Sequence, residues 1–192
     1  LSSKGVWKDG KIVGYWVSYY DNGQLHSKGN YINDNRDGDW VEYWNNGNIH
    51  SKGNYINGNK DGYWEKYFPN GEIEEKTTFK NSKLEGSYTD YWKNGNLRTM
   101  ENYKNNKKNG ISHWYNFNGT LGTKGNYIMG KEEGLFTSYH DNGKLQYKGN
   151  YKNGKKEGYW VSYEYNGQLF YKGEFKNDMK EGYWIWQNKE GK

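Results

Sequence analysis

Two charged columns are the features of this sequence that could first do chemistry. Asp37, Asp61, Glu85, Glu133, Glu157 and Glu181 recur at one phase, with Asn109 filling the gap, and Arg36, Lys60, Lys108, Lys156 and Lys180 stand immediately before them. Carboxylates in register could ligate a cation or share acid–base work. One repeat apart in a sheet they would lie ~10 Å from each other, which is far for a two-carboxylate mechanism of the retaining type. They read most simply as two solvated edges that keep strands soluble. Asn33-x-Asn35-x-Asp37-Gly38 has the outline of a calcium loop, which needs an acid at its first position and a bidentate Glu at its twelfth. Those positions hold Asn33 and Trp44, and the copy starting at Asn57 fails in the same way at Phe68. Of the histidines, His26, His50, His113 and His140, the first two share one column and stand too far apart to share a metal. No serine or histidine lies in a nucleophile-elbow pattern, and no glycine-rich phosphate loop is present. Asn118-Gly119-Thr120 is a formal glycosylation sequon, but it falls inside a hairpin turn. The reading is therefore no catalytic residue, no metal ligand, no cofactor and no enzyme.

The aromatic residues are the remaining candidates: 10 Trp, 21 Tyr and 6 Phe, or 19% of the chain. Rings ~10 Å apart along a groove can anchor peptides or stack on sugars. Most must be the core itself. One column behaves differently: Tyr20, Trp44, Phe68 and Trp92 are aromatic, and the same place then holds Asn116, His140 and Glu164. A stripe confined to one half of the array suits a binding groove better than a core. Tyr20, Trp44, Phe68 and Trp92 are expected to be the more exposed set and the partner-binding surface.

These columns exist because the chain repeats every 24 residues. Gly14, Gly38, Gly62, Gly86, Gly110, Gly134, Gly158 and Gly182 mark the period, and eight residues after each of the first seven comes Asn-Gly, from Asn22-Gly23 to Asn166-Gly167. Tyr19 and its successors precede that pair by three residues, and Leu25 and its successors follow its glycine by two. The aromatic Tyr31 column follows six further on, and Trp7 and Gly5 extend the pattern upstream. Asn-Gly between apolar residues is a strong hairpin signal, both residues tolerating positive φ. A second turn recurs eleven residues later, at Asn33-Asp34, Asn57-Gly58 and onward. The expected fold is all-β: an elongated, single-layer antiparallel meander of about seven and a half hairpin repeats, some fifteen strands, forming a ribbon of ~75 Å. It is one repeat array over 1–192, with a partial repeat 1–13, repeats starting at 14, 38, 62, 86, 110, 134 and 158, and a partial repeat 182–192. Two registers stay open. A two-residue turn places Trp16 opposite Gly29 and Gly14 opposite Tyr31, so that each ring covers a glycine. A three-residue turn with a bulge pairs Tyr19 with Leu25.

Composition bounds the function. Hydrophobic residues are 32% and mean hydropathy is −1.37, values that suggest disorder unless the core is aromatic. The net charge of +5 comes from 28 basic and 23 acidic residues with no basic cluster, so nucleic acid is not an expected partner. There is no cysteine, hence no disulfide or thiolate chemistry. No signal peptide or long apolar run is present. The chain starts at Leu1 in mid-repeat, as a fragment of a longer protein would. The compartment is left open, with a bacterial extracytoplasmic or surface location slightly favoured, and a membrane surface as partner is also left open.

The recurring Gly-x-Trp-x-x-Tyr-x-x-Asn-Gly-x-Leu-x-x-Lys-Gly-x-Tyr-x-Asn-Gly-Lys-x-Glu, well shown by residues 158 to 181, resembles MORN repeats, in the bacterial variant of the YwqK-family antitoxin proteins. The resemblance spans essentially the whole chain. It implies elongated antiparallel arrays that act as adaptors or scaffolds, linked to protein partners, self-association and sometimes membranes, with no catalytic residues to carry over. The leading expectation is a protein-interaction or scaffold module. A carbohydrate- or cell-wall-binding module and an antitoxin-like partner of a toxin protein are the alternatives, and unpaired terminal strands would allow end-to-end self-association. The pattern departs from itself at Thr77, Tyr88, Met100, Glu101, Ser112 and Phe136, with Trp114 displaced by two. Repeat drift explains this most simply; a local binding patch around 75 to 118 is the sharper reading.

Overall fold

The computed structural model describes residues 2–187; Leu1 and the end of the last partial repeat, 188–192, lie outside them. Every regular element among the described residues is a β-strand, and the chain divides into two units, Leu1–Gly95 and Asn96–Lys192. The first unit holds β1 (Ser2–Lys8), β2 (Lys11–Tyr19), β3 (Leu25–Ile32), β4 (Asn35–Tyr43), β5 (Ile49–Ile56), β6 (Asn59–Tyr67), β7 (Ile73–Lys80) and β8 (Lys83–Tyr91). The second holds β9 (Leu97–Lys104), β10 (Lys107–Lys108), β11 (Gly110–Tyr115), β12 (Leu121–Ile128), β13 (Lys131–Tyr139), β14 (Leu145–Lys152), β15 (Lys155–Tyr163), β16 (Leu169–Lys176) and β17 (Met179–Trp186). β10 and β11 both pair with β9 and are one strand interrupted at Asn109. Within each unit every strand pairs antiparallel with the strand before and after it in sequence, an open meander of hairpins.

The two open registers are both present, reconciled by a bulge. Gly14 faces Tyr31, Trp16 faces Gly29 and Tyr19 faces Leu25, because His26 is an extra residue between Ser27 and Leu25. The turns also divide the work differently from expectation. At Asn22-Gly23 only the glycine has positive φ (81°), and the loop closes through Gly23 N–H to Tyr20 O at 2.9 Å. This is a β-turn followed by a left-handed residue, the three-residue bulged loop. The strict two-residue turn with both residues left-handed is the other one: Asn57 (49°) with Gly58 (80°), Asn33 (46°) with Asp34 (67°).

The two glycine columns have separate physical causes. Gly38 and Gly62 are left-handed (φ 73° each) with open space where a Cβ would be, so backbone conformation alone selects glycine there. No ring covers them, contrary to the expectation that Tyr31 would cover Gly14. At Gly29 and Gly53 φ is ordinary, but a Cβ would stand 2.4 Å from the Trp40 indole and 2.2 Å from that of Trp64. The covering ring is thus the next repeat's: Trp40, not Trp16, lies on Gly29, while Trp16 lies on Gly5. The left-handed kink makes this possible, since Gly38, Asp39 and Trp40 together stand opposite Gly29 alone between the flanking pairs of β3 and β4. Three indole N–H groups then donate to the carbonyl beside their glycine bed, Trp40 to Asn30 O at 3.0 Å, Trp64 to Asn54 O at 3.2 Å and Trp160 to Asn150 O at 3.1 Å.

Rings so held interleave with the Tyr31 column in an edge-to-face ladder. In the first unit it runs Trp16–Tyr31–Trp40–Tyr55–Trp64–Phe79 with centroids 5.0 to 6.3 Å apart. In the second it runs Tyr127–Phe136–Tyr151–Trp160–Phe175–Trp184. Each such contact contributes about 0.5–1.5 kcal/mol beyond area burial. The basic column lies over these rings and is no solvated edge: Arg36 sits 4.3 Å from the Trp40 centroid, Lys60 4.1 Å from Trp64 and Lys156 4.6 Å from Trp160.

Both margins are stitched by polar side chains one repeat apart. The acidic column caps the next tight turn: Asp37 accepts from Asn57 N–H (3.1 Å), Asp61 from Asn81 (3.2 Å), Glu133 from Asn153 (2.8 Å) and Glu157 from Asn177 (3.0 Å), with Asn109 doing the same for Met129 (3.1 Å). At the other margin the Asn of Asn-Gly accepts from the N–H two residues on, and its amide nitrogen donates to the next repeat: Asn22 to Asn45 O, Asn46 to Pro69 O, Asn118 to Asp141 O, Asn142 to Tyr165 O. Asn70 and Asn166 donate within their own loops, to Glu72 Oε2 and Gln168 Oε1, each at 2.9 Å. Replacing Asn142 by Asp removes a donor and sets a carboxylate against a carbonyl. Asn142→Asp is expected to destabilise the array by about 1–3 kcal/mol in urea unfolding. A change within about 0.5 kcal/mol, the range of an uncoupled surface substitution, would contradict the stitch.

Candidate functional site

The aromatic stripe lies on the ladder face, in the row nearest the Asn-Gly turns. Tyr20, Trp44, Phe68 and Trp92 are each half-buried. The reason is a bond to the following repeat: Tyr20 OH donates to Tyr43 O (2.7 Å) and Trp44 Nε1 to Tyr67 O (3.0 Å). Tyr20 also packs edge-on against His26 at 4.7 Å, and Trp44 packs tilted against His50 at 4.0 Å. The histidines are the bulge residues of β3 and β5, a role that no sequence spacing announced. His140 continues the row with Nε2 3.0 Å from Tyr163 O.

Between the stripe and the ladder runs a row that sequence reasoning passed over. It carries Ser18, Glu42, Lys66 and Asp90 in the first unit and Trp114, Ser138 and Ser162 in the second. Its members pair diagonally with the bulge residues: Ser18 Oγ with His26 Nδ1 (3.1 Å), Lys66 with Glu74 (3.1 Å), Ser138 with Gln146 (2.9 Å). Glu42 is held by Arg36 at 2.7 Å and by Ser51 at 3.0 Å. Burial pushes its carboxyl up, but those hydrogen bonds and the Arg36 charge outweigh that and leave it below the ordinary carboxylate range. Burial raises Glu75 as well, and there it prevails: the carboxyl stands above that range, with the Tyr88 hydroxyl at 3.2 Å offsetting only part.

The middle departures are paired substitutions. Where Gly becomes Thr77, the ring that would cover it becomes Tyr88; where Gly becomes Glu101, the ring becomes Ser112. Glu101 is 4% exposed and fills the vacated space with its carboxylate, bonded to Lys108, to Ser112 at 2.8 Å and to Tyr103 at 2.7 Å. Trp114 finds its own bed on Gly122, whose added Cβ would stand 2.2 Å from the ring.

The opposite face carries a row of exposed apolar side chains. The residue after each column glycine points there: Tyr15 and Tyr63 in the first unit, alternating with the exposed polar Asp39 and Ser87, and Ile111 (59% exposed), Leu135 (49%), Tyr159 (54%) and Tyr183 in consecutive repeats of the second. Beside them run the lysines. In the first unit Lys52 is paired with Glu65 at 2.8 Å and Lys28 lies over Tyr43. Among the described residues Lys124, Lys148 and Lys172 have no acidic partner, and they flank Thr137 and Val161 across the strands. No group of three or more His, Asp or Glu side chains that could hold a metal occurs among those residues.

A sheet of hairpins locked by rings and margin stitches, with its polar groups spent on the scaffold, defines a tandem β-repeat array, a non-catalytic type of module. The family model described as a MORN repeat variant matches residues 12–33, 36–57, 60–81, 84–105, 132–153 and 156–177. The chain belongs to that family, whose repeats are in general modules of protein and membrane interaction. The stretch between the fourth and fifth matches contains Ser112 and the displaced Trp114, whereas Thr77, Tyr88 and Glu101 lie inside matched repeats. No curated protein matches the chain.

The lowered pKa of Glu42 sets a pH dependence. Its ionised form favours folding, so its contribution is complete above the unfolded value of ~4.3 and is lost as pH falls through the lower folded value. The stability gap between the wild type and Glu42→Gln, from urea unfolding, should therefore be widest near neutrality and close on acidification below about pH 4. A gap independent of pH would contradict the assignment.

Proposed function

We propose that this array is a non-enzymatic protein-interaction module whose partner docks on the exposed row Ile111, Leu135 and Tyr159, flanked by Lys124, Lys148 and Lys172. The observation that carries the reading is the contrast between faces. On the ladder face most polar groups and rings are committed to neighbours; on this one large apolar side chains stand in water, in register, beside lysines without acidic partners. Exposed apolar rows of this kind mark contact sites. The matching partner is a protein segment that combines apolar side chains with Asp or Glu. A toxin protein, as the resemblance to antitoxin proteins suggests, is one such partner. The stripe Tyr20, Trp44, Phe68 and Trp92 is a second contact row in the same proposal, its ring edges only partly covered.

Selection of a random peptide library against the array tests this. Enriched peptides should alternate apolar and acidic residues, weaken with rising salt, and lose about tenfold or more in affinity to a Leu135→Asp, Tyr159→Asp double variant. Peptides indifferent to that variant overturn the row as the contact surface. If they respond instead to Trp44→Ala and Trp92→Ala, the stripe is the contact.

A further inference from the structure

The row nearest the Asn-Gly turns is filled in the first unit and open in the second. Where Tyr20 covers His26 and Trp44 covers His50, the equivalent places in the second unit hold the smaller Asn116 and His140. A trough of about 550 Å³ opens there, and its walls include Trp114, Thr123, Ser138, His140, Gln146 and Tyr147. Trp114 stands where other repeats carry Glu42, Lys66 or Asp90, so this stretch alone has an aromatic ring in that row between β1 and β16. Its underside rests on Gly122, and the residue is 40% exposed.

The floor is polar and neutral. Thr123 Oγ1 and Ser138 Oγ lie 3.1 Å apart, and Ser138 donates to Gln146 Oε1 at 2.9 Å, which leaves the Gln146 amide nitrogen as a donor for a ligand. His140 Nε2 faces the Tyr163 carbonyl at 3.0 Å and must donate to it; in the neutral imidazole Nδ1 is then an acceptor. Asp141 is the one charged side chain that lines the trough. A purely apolar side chain bound here would strand the Gln146 amide nitrogen and His140 Nδ1 without partners, at about 1–3 kcal/mol each. An anion would meet no cation, and a cation would meet a single carboxylate at the rim. A pyranose suits both halves: its C–H face lies on an aromatic ring, and its hydroxyls donate and accept at once.

We infer that this trough is a binding site for a neutral oligosaccharide, of about two pyranose rings by its ordinary ligand-pocket size. Trp114 is the stacking platform, Gln146 and His140 the orienting donor and acceptor, and Gly122 the bed that sets the platform's height. The site lies on the ladder face, opposite Leu135 and Tyr159, so it stands or falls apart from the protein-docking reading.

Isothermal titration of the whole chain with chitohexaose, cellohexaose and maltohexaose tests it. At least one should bind saturably, with affinity reduced about tenfold or more by Trp114→Ala. Gly122→Ala, which lifts the ring from its bed, should have a similar effect, and Leu135→Asp with Tyr159→Asp none. If Trp114→Ala unfolds the array, Gln146→Leu removes the donor at nearly constant size and should weaken binding in its place. No binding of any of the three sugars overturns the inference, as does binding that survives Trp114→Ala or Gln146→Leu in a folded array.

Discussion

Everything in this array depends on an indole of one repeat lying on a glycine of the repeat before it. A lone hairpin cannot bury a tryptophan; two in sequence can, if one strand kinks to bring the ring inward and the other has no side chain beneath it. The left-handed Gly38 supplies the kink and Gly29 the bed, and Trp40 is 1% exposed as a result. Once the ring is seated, its N–H finds a carbonyl of the earlier repeat, the Tyr31 column packs edge-on between successive indoles, and Arg36 or Lys60 closes over the stack. Cooperation between neighbours is thus built into a contact 11 residues apart in sequence, and stability propagates repeat by repeat.

The same rule explains how the array varies without breaking. A ring may leave only if its bed fills, as Glu101 with Ser112 shows, and a ring may move only if a bed moves with it, as Trp114 with Gly122 shows. Such exchanges alter surfaces while preserving the meander. In the second unit they remove charge from one row, shrink the side chains of the next, and leave a neutral trough beside an exposed tryptophan. The other face is free to vary for a different reason. The residue after the kinked glycine has no packing duty, so tyrosine, leucine, isoleucine, serine and aspartate all occur there.

The architecture was legible because a 24-residue period with two turn signals leaves few folds, and the all-β meander follows from that alone. The finer geometry was legible only in part. Strand pairing places Trp16 opposite Gly29, but a kink invisible in residue type sends the ring of Trp40 there. Asn22 suggested positive φ, whereas its side chain serves by bridging to Asn45 and its backbone is ordinary. The acids suggested solvation because a cap across 20 residues has no local signature. Tyr20 and Trp44 look free when only their columns are aligned, since nothing in their spacing reveals a bond to a carbonyl 23 residues on. The trough residues are ordinary types at ordinary positions; only the displaced Trp114 marked the region.

The ring-on-glycine contact is tested most directly by a double-mutant cycle at Gly53 and Trp64, followed by urea unfolding. Gly53 has an ordinary φ, so alanine there costs nothing in backbone strain. Gly53→Ala should destabilise the wild-type array by about 2 kcal/mol or more through overpacking and should be neutral within about 0.5 kcal/mol once Trp64→Ala has removed the ring, a coupling well outside additivity. Additive effects of the two substitutions would mean that the ring does not require the glycine, and that the repeats are held to one another by something other than the seated indole.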